Sequence, residues 1–175
     1  MTPNSFQFGG YNSVDDWGIK VLAYDTLIPP KRMRRQQIPG RNGSYDYGTK
    51  NYDDKLLRLS CTLERKISKA QLREIAYLLS QKSQLRLWNE EDKYYIGELD
   101  NAAEVTDYPC EAMREFELIF TCEPFAYGAM KEIDVQRGIN PLTYAGTAET
   151  PFILRLSNRG NNNISNITIT VVKRQ

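Results

Sequence analysis

Between Lys55 and Arg65 the chain reads KLLRLSCTLER, with Leu57, Leu59, Cys61 and Leu63 apolar and Arg58, Ser60, Thr62 and Glu64 polar. A period of two marks a strand with one buried face, so a half-buried strand is expected here. The alternation returns from Met113 to Cys122, with Phe116, Leu118, Phe120 and Cys122 on one face and Glu115, Glu117 and Thr121 on the other. Pro124 follows as a stop, because proline has no amide hydrogen to give to a ladder. Both strands are expected to cross one core.

The only convincing helical pattern lies between them. Ser68 is placed to cap a helix and Gln71, three residues on, to complete a capping box. Leu72, Ile75, Ala76 and Leu79 then form one apolar stripe, with Arg73, Glu74 and Gln81 pointing elsewhere. Such a stripe reads as core. Gln84 to Trp88 and Lys93 to Leu99 are short strand-like runs around the turn-forming Asn89-Glu90-Glu91-Asp92, which predicts a hairpin.

Beyond that point the periodicity stops. Gly138, Asn140, Pro141, Gly146 and Pro151 punctuate a linker or long crossing loop. Phe152 to Leu156 and Asn166 to Val172 then read as two further strands around a polar loop at 158 to 163. Two strands alone do not bury enough to stand as a domain. The expected division is 1–135 and 136–175, in a mainly β chain with one helix (α+β).

Composition narrows the function classes. With 175 residues, 41% apolar and 26% charged, the chain has the make-up of a globular protein. Its apolar runs, such as Ile75 to Leu79, fall far short of a membrane span. Met1-Thr2-Pro3-Asn4 is not the start of a secretory signal, so folding in the cytoplasm is expected. Cys61, Cys110 and Cys122 read as reduced residues, two of them at apolar strand positions, and not as a disulfide framework.

There is no histidine, which removes Ser-His-Asp and Cys-His catalysis and leaves zinc only three scattered cysteines. The acidic groups Asp15-Asp16, Asp53-Asp54 and Glu90-Glu91-Asp92 lie in polar, turn-like settings and read as solvated surface acids. No catalytic residue, cofactor or metal is expected.

Net charge is +1, but it is unevenly spread. Lys31, Arg32, Arg34, Arg35 and Arg41 crowd one segment without an acid, whereas Glu90 to Glu117 is dominated by acids. Three readings of the basic segment stand open. It is a solvated loop, as charge runs usually are; or a nucleic-acid site that neutralises phosphates; or one half of a head-to-tail contact with the acidic segment of another copy. Strand addition at the edges of the 84 to 99 hairpin is a second way to join copies.

Inside the basic region lies IPGRNGSYDYG, residues 38 to 48. It lacks the lysine and the following helix of a phosphate-binding P-loop. Pro39-Gly40 and Asn42-Gly43 are instead two consecutive turn signals, each asking for positive φ at a glycine. By itself the segment predicts a tight, exposed loop.

The order of certain motifs carries more. Phe8-Gly9-Gly10, Asp16-Trp17-Gly18-Ile19, Pro29-Pro30 with Arg32, the Pro39-Gly40-Arg41-Asn42-Gly43 turn, and Phe120-Thr121-Cys122-Glu123-Pro124-Phe125-Ala126-Tyr127 follow one another here. In this order the chain resembles the distal tail proteins (Dit) of long-tailed, non-contractile phages, over about residues 6 to 127. Gly146 to Pro151 resembles the entry to that family's second, galectin-like β-sandwich, yet too few residues follow for such a domain.

The resemblance implies a tail-tube-like β-sandwich with a packed helix and an extended β-hairpin, followed by a remnant of the second sandwich. It implies a non-enzymatic hub of the tail tip or baseplate. Six copies would form a ring that continues the tail tube and carries a tail-associated lysin or fibre protein and receptor-binding proteins, so that the chain belongs to the virion and to host attachment. DNA would meet it only as cargo in the channel. Interface residues expected on this reading are Arg32, Arg34, Arg35, Arg41, Tyr45, Asp46, Glu90, Glu91 and Asp92. The alternative is a small nucleic-acid-binding module that uses the basic segment 31–41, with Tyr45, Tyr47 and Tyr52 as stacking platforms. A glycosidase built on paired carboxylates is a distant third.

Overall fold

A computed structural model of the chain describes residues 1–26, 28, 30–32, 35–46, 51–100, 115–162 and 165–172. It divides into two units, Met1–Asp134 and Val135–Gln175. The first contains β1 (Phe6–Phe8), β2 (Tyr11–Asn12), β3 (Ile19–Thr26), β4 (Arg35–Gln37), β5 (Ser44–Asp46), β6 (Lys55–Leu63), α1 (Lys69–Leu79), β7 (Ser83–Leu87), β8 (Lys93–Leu99), β9 (Glu115–Cys122) and β10 (Tyr127–Gly128).

Eight strands make one antiparallel sheet in the order β2-β1-β7-β8-β9-β6-β3, with β10 on β8. The alternation in the sequence explains its inner face: Leu57, Leu59 and Cys61 of β6 and Leu118, Phe120 and Cys122 of β9 are all at most 1% exposed. β6 and β9 are paired directly, with Leu59 opposite Leu118 and Leu57 opposite Phe120. The chain is mainly β with one helix, as its periodicity predicts.

The sheet cannot be flat. β1 and β9 are three strand spacings apart along the sheet, roughly 14 Å at the usual separation. Yet the ring of Phe120 on β9 lies 6.0 Å from that of Phe6 and 5.5 Å from that of Phe8, both on β1. The sheet therefore rolls over its own apolar face, and backbone hydrogen bonds close it: the Val21 amide donates to the Asn4 carbonyl at 2.8 Å and the Ile19 amide to the Ser13 carbonyl at 2.7 Å. Trp17 fills the closure against Phe6 at 6.0 Å.

The helix lies on this core. The capping box forms as expected, with Ser68 Oγ accepting from the Gln71 amide and Gln71 Oε1 accepting from the Ser68 amide. Ile75 and Leu79 are buried. Ala76, expected in the stripe, is exposed, and Leu78 packs partly against the core along with Leu72. A methyl side chain is too short to hold that position in the contact when a leucine lies beside it.

Two expectations change. The hairpin predicted at 84 to 99 is present as β7–β8, but its edges are not available for pairing between copies, because β1 covers β7 while β9 and β10 cover β8. Its interior position also explains Gly97, where an added Cβ would stand 2.6 Å from Cys122 Sγ and 2.7 Å from the Thr121 carbonyl. In the second unit, the runs expected as strands at 152–156 and 166–172 form no strand. Their apolar side chains stay exposed, with Phe152 at 63% and Val171 at 65%. A strand exists by its ladder bonds, and these runs make none among the described residues.

Phe120→Ala should remove about 3–5 kcal/mol of stability, since the fully buried ring joins distant strands and leaves a cavity. Urea or guanidinium unfolding measures this; a loss below about 1 kcal/mol would contradict the closure described here.

Candidate functional site

The interface residues expected from sequence fall on two elements. The basic ones belong to an arm. β4 and β5 form a separate two-stranded ladder, with Arg35 opposite Asp46, Gln36 opposite Tyr45 and Gln37 opposite Ser44. Between them, the Arg41 amide donates to the Ile38 carbonyl at 3.2 Å around Pro39-Gly40, and Gly40 has φ 82. Proline followed by a positive-φ glycine is the type II pattern. Gly43, also at φ 82, makes the second turn that the sequence signals.

At its root the arm continues the main sheet. Thr26 pairs with Leu57, and Lys31 bridges to Tyr52, five residues further along each strand. The Arg32 amide donates to the Asn51 carbonyl at 3.0 Å and the Asp53 amide to the Pro30 carbonyl at 2.8 Å. Arg32 Nε also donates to Asp53 Oδ1 at 2.6 Å, and that hydrogen bond and charge raise the guanidinium's pKa further. Arg32 therefore serves the arm's own root.

Further out the described residues of the arm lie open to solvent. Arg35, Gln36, Gln37, the turn residues 38–43, Ser44 and Tyr45 are all exposed. Arg41 holds its guanidinium 5.7 Å above the ring of Tyr45, a cation–π pair at the end of the arm. The backbone of Asp46 is fixed opposite Arg35. Arg34, and with it Tyr47, lies outside the described residues.

The acidic residues occupy the β7–β8 turn, and much of their charge is engaged within the chain. Glu91 Oε1 pairs with the Met1 ammonium at 2.6 Å. Glu90 accepts from the Tyr95 hydroxyl at 3.2 Å and lies 3.7 Å from Lys93 Nζ. Asp92 makes no ion pair among the described residues. Glu104, Asp107 and Glu111 lie outside them.

Sequence reasoning missed a second surface cluster. Tyr94 and Tyr127 stack at 5.6 Å, Arg86 lies 5.4 Å over Tyr94, and Tyr127 donates its hydroxyl hydrogen to Glu123 at 2.5 Å. Lys82 pairs with the same Glu123 at 2.8 Å. The Lys82 and Tyr127 bonds hold the Glu123 carboxyl below its usual range. Period-two counting places Tyr94 on the outer face but says nothing of what lies beside it.

None of this geometry activates a nucleophile. Burial pushes the thiols of Cys61 and Cys122 up to about 12 and about 11, and the Tyr95 hydroxyl up to about 12. These groups are held protonated, the reverse of what a reactive thiolate needs. Lys55 is buried with its ammonium 4.6 Å over the Tyr95 ring, and burial lowers its pKa.

Alkaline stability follows from these shifts. Well below the ordinary thiol value of about 8.5 both thiols are protonated whether the chain is folded or not. Above it the unfolded chain releases protons that the fold retains, so each such group lowers stability by up to about 1.4 kcal/mol per pH unit. Lys55 acts oppositely, since the fold sheds its proton first, but it is outnumbered by Cys61, Cys122, Tyr95 and Tyr127, all raised in the fold. Urea midpoints should fall steadily from about pH 9 to pH 11, and a flat profile would contradict these placements.

No family model matches the chain, and no curated protein sequence does. Among solved structures it is similar to the crystal structure of the SPP1 Dit (gp 19.1) protein, a paradigm of the hub adsorption apparatus in phages infecting Gram-positive bacteria. The TM-score is 0.57 at 18% sequence identity, covering 71% of this chain and 52% of that one. The chain thus has a Dit-like fold and spans about half the length of that protein.

Proposed function

We propose that this chain is a structural subunit of a phage tail tip, a hub whose copies close into a ring, and that it carries out no catalysis. The fold likeness to an adsorption-apparatus hub carries the reading. The motifs at 8–10, 16–19, 39–43 and 120–127 support it independently, since they led to the same family from sequence. On this reading the ring, six copies by the resemblance, continues the tail tube. It holds a lysin or fibre protein below and receptor-binding proteins at its edge, and the chain's place is in the virion.

A ring needs two different patches on each subunit, related by a rotation that closes. The arm supplies one, with Arg35, Arg41 and Tyr45 presented to solvent on a ladder that buries nothing of its own. The β7–β8 turn supplies the other in the next copy, chiefly through Asp92, because Glu90 and Glu91 already have partners at home. The nucleic-acid reading is weakened by the same geometry. Arg32 is neutralised by Asp53, Arg41 lies on the Tyr45 face that a base would need, and Tyr52 meets Phe125 edge to face.

Sedimentation velocity of Arg35→Glu/Arg41→Glu tests the arrangement. The parent should form a defined oligomer that weakens as salt rises from about 0.05 to 0.5 M, and the double variant should shift to smaller species at every salt. An unchanged distribution would contradict the arm's role. Micromolar binding of a single-stranded oligonucleotide with a steep salt slope, lost in the variant while assembly is kept, would favour the nucleic-acid module instead.

A further inference from the structure

The stretch Cys122-Glu123-Pro124-Phe125-Ala126-Tyr127 is not a simple strand end. Cys122 pairs with Gly97 of β8, the Glu123 amide donates to the Ile96 carbonyl at 2.8 Å, and Tyr127 pairs with Tyr94. Three steps along β8, from Gly97 to Tyr94, therefore match five along the other strand, from Cys122 to Tyr127. Two residues are extruded as a bulge. Pro124 makes the extrusion natural, having no amide hydrogen to contribute to a ladder.

The bulge delivers Phe125 to one place. Its ring meets that of Tyr52 edge to face at 5.1 Å, with an interplanar angle of 73°. Tyr52 is the arm residue that bridges to Lys31 at the root. On both flanks the bulge is pinned, by Lys82 on Glu123 and by the stacking of Tyr127 on Tyr94. The arm beyond the root is exposed throughout its described residues, and a two-stranded ladder with no face to bury does not hold its own direction. At its base the arm meets the body of the sheet, through the rings of Tyr52 and Phe125.

We propose that Phe125, pushed out of the ladder by the Pro124 bulge, sets the direction of the arm by clamping Tyr52 against the body of the sheet. Arg32 and Asp53 lie at the same root, but their side chains are 58% and 47% exposed, so water and salt screen that pair, whereas the contact of the Tyr52 and Phe125 rings, 38% and 40% exposed, does not depend on charge. Phe125 is thus a positioning residue, and the clamp belongs to the single chain whether or not copies form a ring.

Electron spin resonance on dilute protein tests it. Spin labels at Asn42→Cys, on the arm's turn, and Ser60→Cys, exposed on β6, report the arm's direction, in a Cys110→Ser background where the other cysteines are buried. The parent should give a narrow distance distribution. Phe125→Ala should broaden it about two-fold or more with an unchanged thermal midpoint, Phe125→Tyr should restore it, and Asp53→Asn should have the smaller effect. Equal widths for the parent and Phe125→Ala would overturn the proposal and leave the tail-hub reading standing. If Phe125→Ala does not fold, Tyr52→Leu removes the other ring at the exposed root and carries the same expectation and the same refutation.

Discussion

The contact on which the rest of the first unit depends is the meeting of Phe120 with Phe6 and Phe8 across the interior of a rolled sheet. It converts an open antiparallel sheet, half of whose surface is apolar, into one that hides that face from water. Burying rings and leucines of this size is worth about 1.5–3 kcal/mol per side chain. That gain holds β1 on a strand that follows it by more than a hundred residues, and Trp17 packs on the same Phe6 ring. Once the ends meet, the Val21–Asn4 and Ile19–Ser13 hydrogen bonds use up backbone groups that would otherwise form a sticky edge.

Closure also determines what is left for function. With β7 and β8 covered on both sides, strand addition at that hairpin has no free ladder to use. What leaves the closed body is the β3–β6 ladder itself, carried outward through Lys31 and Tyr52 to β4, β5 and the turn at 38–43. An arm whose described residues beyond its root stay exposed is costly to order. A subunit retains such an element for what it contacts elsewhere, which is where the tail-hub reading places it.

Local patterns made much of this legible. The alternation in 55–63 and 115–122, the Ser68-Gln71 capping box, the 89–92 turn and the two glycine turns at 40 and 43 need only neighbours in sequence, and each is where the sequence puts it. The rest depended on distant contacts. β1 is three residues long and carries no period of its own, and its place beside β7 follows from what Phe6 and Phe8 meet. The same holds for the site. No spacing rule pairs Met1 with Glu91 or Phe125 with Tyr52, so the engagement of two expected interface acids at home and the bulge after Cys122 came only from the fold. In the second unit the local signal at 152–156 misled, because alternation marks a capacity to pair and does not supply the partner.

Electron microscopy of the purified full chain over a range of concentrations bears most directly on the central claim, that this is a ring-forming tail subunit. Closed rings of one uniform copy number with a central opening, increasing with concentration, are the expected result. Particles of single-chain size at every concentration, or open irregular chains without closure, would contradict it.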